Sequence, residues 1–217
     1  MIVSLVKYFG TKKANGKLYT EKQRQQLVKW FWRSCFSRRY SSGVNSAHQA
    51  DLVAMKKLCE DENYDISAFK CEIAPSFFVD NQFNVNTVNT KTFIAMLASN
   101  TPRSFISGAE VDLSSTLKQS STKEFHHIFP DKYLQRCGKV RKDIYSLANF
   151  CFLNNADNQK IKDKAPDEYV KMMDKASIPS ILALAYCPDN TFSLSYEKFI
   201  ELRSKLLFER ANELITG

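Results

Sequence analysis

Two of the three histidines in this 217-residue chain are adjacent, in the segment EFHHIFPDKYL at residues 124–134. His126 and His127 stand between bulky apolar residues, and Pro130 follows three positions after the pair. Where a strand ends and twists into a loop, one imidazole can bind a metal ion while its neighbour accepts a proton from water. The pair could equally be two structural histidines of a hydrophobic core, and its spacing alone leaves both interpretations open.

Two downstream asparagines would complete such a site. Asn149 lies in SLANFCFL at residues 146–153, the best strand candidate, where its side-chain oxygen could hold the His127 ring in one tautomer. Asn158 lies near the start of the polar segment NADNQKIKDK, where a side-chain oxygen can reach a hard cation. Each could instead be an ordinary cap or strand-end amide. The order and spacing of the four residues favour phosphodiester hydrolysis, which needs an activated water, a cation and an aimed base.

The elements that must position these residues are predicted to be mostly helical. FHHIF at 125–129 and SLANFCFL predict two short strands, and a third short strand near Ala109–Leu113 is possible. Ser- and Thr-rich residues 104–125 predict a boundary between two modules. Apolar residues at helical spacing, with capping residues before them, predict helices at 20–39, 51–60, 91–99, 155–164, 165–176, 179–186 and after Ser195.

Composition limits the class of protein. The chain is 44% hydrophobic and 25% charged, which is typical of a globular protein. No apolar run reaches the ~18 residues of a membrane helix, and the N-terminus does not resemble a signal peptide. The six cysteines form no C-x-x-C pair, which is typical of reduced thiols rather than a disulfide scaffold or a zinc ribbon. We therefore expect a cytoplasmic protein with no membrane partner.

The net charge of +8 is concentrated near the N-terminus. The first 40 residues hold ten Lys or Arg and one acid, whereas the remaining chain is close to neutral. A concentrated basic face indicates a polyanion such as nucleic acid as a partner, although a solvated helix face would have the same composition. Arg33, Arg38 and Arg39 alternate with aromatic residues here and are the candidate DNA contacts of this region.

The pattern HHIFP…N…N resembles the HNH, or His-Me finger, nuclease motif, a β-hairpin and helix around one metal ion. Its wider context, EFHHIFPDKYL and then SLANFCFLNNADNQKIKDKAPDEY, resembles the C-terminal nuclease domain of GmrSD-type modification-dependent restriction enzymes. The segments WFWRSCFSRRYSSG at 30–43 and FISGAEVD at 105–112 also resemble that family. The resemblance covers most of the chain and is thin over residues 60–90 and at both ends.

The resemblance implies an α+β fold, mostly α-helical, with an embedded ββα-metal (His-Me finger) nuclease motif. We expect residues 1–103 to form a helical scaffold with a basic, DNA-facing surface. Residues 104–217 would form the nuclease domain, with the ββα core at about 122–165 and C-terminal helices at 166–217.

The resemblance also assigns roles to single residues. His127 matches the general base, and His126 matches the position that binds the metal ion. Asn149 matches the asparagine that braces the base and its loop, and Asn158 matches the final metal ligand. Three lysines are candidate phosphate contacts by position and charge: Lys160, Lys162 and Lys164.

The metal at such a site is one divalent ion. Many HNH nucleases carry Asp where His126 stands, and a neutral imidazole there favours a borderline ion such as Mn, Ni or Zn. We expect Mg in the cell, with Mn, Ni or Zn as alternatives.

The function implied by the resemblance is endonucleolytic cleavage of DNA, including modified phage or foreign DNA, in an antiviral restriction system. A nucleotide-binding sensor domain, N-terminal in the same protein or on a separate subunit, is the partner that the family implies. Two alternatives remain: a non-catalytic nucleic-acid-binding module in which the histidine pair is structural, or a nuclease directed at RNA.

Overall fold

The computed structural model describes residues 1–14, 19–114 and 125–217, with the backbone alone at residues 13 and 14. The chain divides into two compact units. Unit 1 comprises Met1–Ile73 with Arg210–Gly217, and unit 2 comprises Ala74–Glu209. The module boundary predicted between residues 103 and 104 falls inside unit 2, and its functional meaning stays a prediction. Residues 122–124 of the predicted ββα core lie outside the described residues.

Unit 1 is built from helices. The predicted helix at 20–39 is observed, and Thr20 caps it through a reciprocal pair of hydrogen bonds with Gln23. The helix predicted at 51–60 begins earlier, directly after Gly43, which adopts a left-handed conformation with φ +60°. The helices of this unit are α1 (Ile2–Ala14), α2 (Glu21–Phe36) and α3 (Val44–Glu60). Their shared core consists of Tyr8, Leu27, Trp30, Met55, Leu58 and Ile66.

Unit 2 contains short helices and one small sheet. In chain order, these elements are α4 (Ser76–Asp80), α5 (Val88–Ala98), β1 (Phe125–His127), α6 (Asp131–Arg136), α7 (Arg141–Ile144), β2 (Phe150–Phe152), α8 (Asn155–Ile161), α9 (Pro166–Tyr169), α10 (Ile178–Leu184) and α11 (Tyr196–Thr216). The end of α11 belongs to unit 1. The 3-10 turns are Leu147–Asn149, Val170–Met172 and Thr191–Ser193.

The sheet is an antiparallel pair of three-residue strands. His126 lies opposite Cys151, and His127 lies opposite Phe150. Cys151 is part of the buried core of unit 2, whereas Phe150 stacks on Phe83 with ring centroids 4.0 Å apart. Mostly helical structure with a small two-stranded sheet confirms the predicted α+β class.

The strand predicted at 146–153 is shorter than expected. Residues 147–149 form a 3-10 turn, closed by the bond from the Asn149 N–H to the Ser146 carbonyl, and the strand starts only at Phe150. The segment between the two strands holds α6 and α7. Near Ala109–Leu113 the backbone forms only a single bridge, between Arg103 and Glu110, instead of the possible strand.

The core of unit 2 lies between the hairpin and the surrounding helices. Phe129, directly after β1, packs against Phe199 of α11 with ring centroids 4.7 Å apart. Tyr169 is fully buried, and its hydroxyl donates to the Ile128 carbonyl at 2.8 Å. These two contacts fix the chain immediately after the histidine pair, one through Phe129 and one through the Ile128 carbonyl.

Within the described part of the chain, no helix is long and apolar enough to cross a bilayer.

Candidate active site

A cleft of about 460 Å³ in unit 2 brings four of the predicted site residues together: His126, His127, Asn158 and Lys162. His126 and His127 reach it from the end of β1, and Asn158 reaches it from α8. Pro130, Asp131 and Lys132 form the part of the wall that follows β1. The remaining lining residues come from α8 and the turn after it: Gln159, Ile161, Lys162 and Asp163.

His127 occupies an aromatic setting at the edge of this cleft. Its ring centroid lies 4.2 Å from that of Phe150 and 4.8 Å from that of Tyr145. Burial lowers the pKa of His127 to about 4, although the Asp131 carboxylate acts in the opposite direction. The imidazole is therefore neutral at pH 7. Its Nε2 atom is buried and has no hydrogen-bond partner among the described residues.

Asp131 is a cleft residue that the motif did not single out. Its carboxylate accepts hydrogen bonds from Gln135 at 2.7 Å and from the Tyr145 hydroxyl at 3.2 Å. Arg141 lies over the Tyr145 ring, 4.0 Å from its centroid. The sequence signal for Asp131 is only its position directly after Pro130, which does not distinguish it from a helix-capping acid.

Asn149 is fully buried and makes its side-chain hydrogen bonds to backbone groups. Its Oδ1 accepts from the Phe129 N–H at 2.9 Å, and its Nδ2 donates to the carbonyls of Phe129 at 3.1 Å and Ile144 at 3.0 Å. Its own carbonyl accepts from the Ile128 N–H at 2.8 Å. These bonds fix the loop that follows His127. The predicted contact with the His127 ring is not among them, because Asn149 lies in the 3-10 turn before β2 and not on the strand.

Asn158 is positioned by the way α8 begins. The Asn154 side chain caps this helix by accepting from the Asp157 N–H at 2.8 Å. The buried Asp157 carboxylate accepts from the hydroxyls of Ser104 and Ser107, each at 2.6 Å. Burial favours the neutral form of Asp157, but these hydrogen bonds outweigh it and hold the pKa of the carboxyl below its usual range. The first turn of α8 is therefore attached to residues 104–107.

The three predicted lysines differ in their surroundings. Lys162 lines the cleft and has the uncommon backbone angle φ +53° for a residue with a side chain. Lys160 pairs with Asp157 at 3.2 Å, and the Lys164 ammonium donates to the Lys160 carbonyl at 3.1 Å. Lys132, which the motif did not single out, also lines the cleft.

The predicted arginines all lie in unit 1. Arg33 donates to the carbonyl of Phe69, and Arg39 makes an ion pair at 2.8 Å with the buried Asp51. Both guanidinium groups also lie over the Phe69 ring. Arg33 and Arg39 thus have partners inside the unit, whereas Arg38 is exposed to solvent. Their role as DNA contacts stays a prediction.

Across the described ranges, no group of three or more histidines, cysteines and acids could hold a metal ion. The predicted ligand set is of another kind, since it combines the imidazole of His126 with the amide oxygen of Asn158. Both residues line the cleft, so the donors that the motif implies are present on the same surface.

Comparison with known proteins gives one distant relative. An uncharacterized protein of Methanocaldococcus jannaschii is 26% identical over an alignment of 223 positions, which covers 88% of this chain. The chain spans 37% of the length of that curated relative. No protein-family profile matches the chain, and no solved structure matches it.

Exchanging Asn149 for Asp tests the role of the buried amide, because the carboxylate has the same shape but no N–H donors. The new carboxylate would place a negative charge against the carbonyls of Phe129 and Ile144. Because this removes two hydrogen bonds and adds repulsion, we expect the free energy of unfolding to fall by about 2 kcal/mol or more. Denaturant titration of the full chain measures this. Asn155→Asp is the matched control: Asn155 is exposed in the first turn of α8, and the expected change is within about 0.5 kcal/mol. Equal stability of both variants would contradict the bracing role.

Proposed function

We propose that this chain is a metal-dependent endonuclease of the HNH (His-Me finger) type that hydrolyses DNA. In this proposal β1, β2 and α8 form the ββα-metal motif. The observation that carries it is that His126, His127 and Asn158 line one cleft, although they come from a strand and a helix that are separated in sequence. In the motif, His127 is the residue that activates water, and His126 and Asn158 are the residues that bind the metal ion.

His127 is the proposed general base. Its ring is neutral at pH 7, and its Nε2 atom has no hydrogen-bond partner in the described part of the chain. Leaving a buried polar atom unpaired costs about 1–3 kcal/mol, so such atoms call for an explanation. Accepting a proton from a water in the cleft, as the water attacks phosphorus, would supply the missing partner. Phe150 and Tyr145 limit the positions that the ring can adopt.

The chemistry of the cleft fits a divalent ion. His126 would hold it through an imidazole nitrogen, a ligand that suits Ni or Zn, and Asn158 through an amide oxygen, a ligand that suits Mn or Mg. Mg in the cell is compatible with the oxygen ligand. When bound, the ion would stabilise negative charge on the phosphate and on the departing 3′ oxygen. Asn149 contributes from outside the cleft, by holding the loop after His127 in place.

The proposed DNA contacts are phosphate contacts. Lys162 and Lys132 both line the cleft, where an ammonium group can pair with the phosphates on either side of the scissile bond. Lys160, Lys164, Arg33, Arg38 and Arg39 remain further candidates. Contacts of this kind give affinity without sequence choice, so selection of a modified target would come from another part of the system.

The proposed setting is restriction of phage or foreign DNA in the cytoplasm. By resemblance, a nucleotide-binding sensor domain or subunit would deliver the DNA to this nuclease. The M. jannaschii relative is longer than the chain, which spans 37% of it, and this is compatible with such additional domains.

Replacing His127 by Ala removes the proposed base, and we expect cleavage of plasmid DNA to fall at least about 100-fold, since general-base catalysis contributes 10²–10⁴-fold. Gel assays of plasmid conversion, with DNA binding measured in parallel, check this. His48→Ala is the matched control, because His48 lies on α3 in unit 1 and outside the cleft. Cleavage by the His127→Ala protein at the wild-type rate would refute the assignment.

Replacing His126 or Asn158 by Ala should weaken metal binding, because each variant removes one direct ligand. We expect the Kd for Mn, measured by titration calorimetry on the full chain, to rise at least about tenfold. Gln159→Ala is the control, since Gln159 also lines the cleft but is assigned no metal contact. An unchanged Kd in both ligand variants would show that the ion is held by other residues.

A further inference from the structure

Arg203 is fully buried, although its guanidinium group is charged at every physiological pH. It lies on α11 inside unit 2. None of the ion pairs in the described part of the chain includes it. A buried charge without a counter-ion is unusual, because desolvation is normally balanced by an acid or a metal.

Backbone carbonyls take the place of the missing acid. The Nη1 group of Arg203 donates to the Ala148 carbonyl at 2.7 Å. Its Nε and Nη2 groups both donate to the Ala185 carbonyl, at 3.3 and 2.9 Å. One side chain thus ties the 3-10 turn before β2 to the residue that follows α10.

Two cysteine thiols and a tyrosine hydroxyl that interact with Arg203 are neutral. Burial raises the pKa of the Cys151 and Cys187 thiols, and it raises the pKa of the Tyr169 hydroxyl, so none of them carries a balancing charge at pH 7. Well-packed apolar residues commonly replace buried charges at no loss of stability. Stability alone therefore gives little reason for an arginine at this position.

Geometry connects Arg203 to the proposed base. Ala148, which Arg203 holds, is followed directly by Asn149, and Asn149 fixes both Ile128 and Phe129. Ile128 directly follows His127. We propose that Arg203 is a positioning residue, which holds the turn at residues 147–149 where Asn149 can fix the loop after His127. Its effect on catalysis rests on the proposed nuclease function, whereas its effect on the loop does not.

Replacing Arg203 by Met tests this, since Met is of similar length and apolar. We expect kcat for plasmid cleavage to fall about 10–100-fold with KM for DNA nearly unchanged, because outer supports of a site typically have effects of that size. Hydrogen exchange of the Ile128 and Phe129 amides should become faster. Lys205→Met is the matched control, since Lys205 is exposed on the same helix and paired with Glu201. Arg203→Lys, which keeps the charge, should recover part of kcat.

The two readouts separate this inference from the nuclease proposal. Wild-type kcat and wild-type amide exchange in Arg203→Met would overturn the positioning role. If the wild-type protein cleaves no DNA with any metal, the nuclease proposal fails, and faster exchange in Arg203→Met still supports the link to the loop. Should Arg203→Met fail to fold, Arg203→Lys takes its place: faster exchange with a reduced kcat supports the inference, and unchanged values overturn it.

Discussion

The buried amide of Asn149 makes three hydrogen bonds to backbone groups, and the arrangement of the candidate site depends on them. They join the turn before β2 to the loop that follows His127 and to the end of α7. β1 and β2 are only three residues long, so their own ladder cannot fix the exit of the chain from β1. The amide supplies that constraint, and α8 then follows β2 closely enough to bring Asn158 into the same cleft.

Several buried polar groups around this site have partners that hold the backbone in place but add little to stability, or have no partner. Arg203 is balanced by carbonyls and not by an acid, and the buried Asp157 carboxylate accepts from two serine hydroxyls beside its ion pair with Lys160. The Nε2 atom of His127 has no partner at all among the described residues. Residues that only stabilise a core are seldom arranged in this way, and functional sites commonly are. The proposed nuclease function explains why each of these polar groups is buried at this place.

Local sequence signals predicted the elements well where a cap or a periodic pattern was strong. Thr20 and the apolar stripe behind it predicted α2, and Ser195 predicted the start of α11. The strand predicted over residues 147–149 is a turn, because Leu147 and Ala148 are compatible with either structure and the buried Asn149 side chain makes its hydrogen bonds to distant backbone groups. The partners of Arg203 could not be predicted for a similar reason, since Ala148 and Ala185 lie 55 and 18 residues away in the sequence. His126, His127 and Asn158 could be predicted to lie together from the order and spacing of the motif, and all three line one cleft.

The proposed nuclease requires that the cleft hydrolyse DNA with the help of a metal ion. The most direct measurement incubates the wild-type chain with supercoiled plasmid, linear DNA and RNA, in the presence of Mg, Mn or a chelator. We expect plasmid to be converted to nicked or linear DNA with metal, and we expect the chelator to stop the reaction. Binding of DNA without cleavage under every metal condition would contradict the nuclease proposal and favour a binding module, and cleavage of RNA alone would contradict the assignment of DNA as substrate.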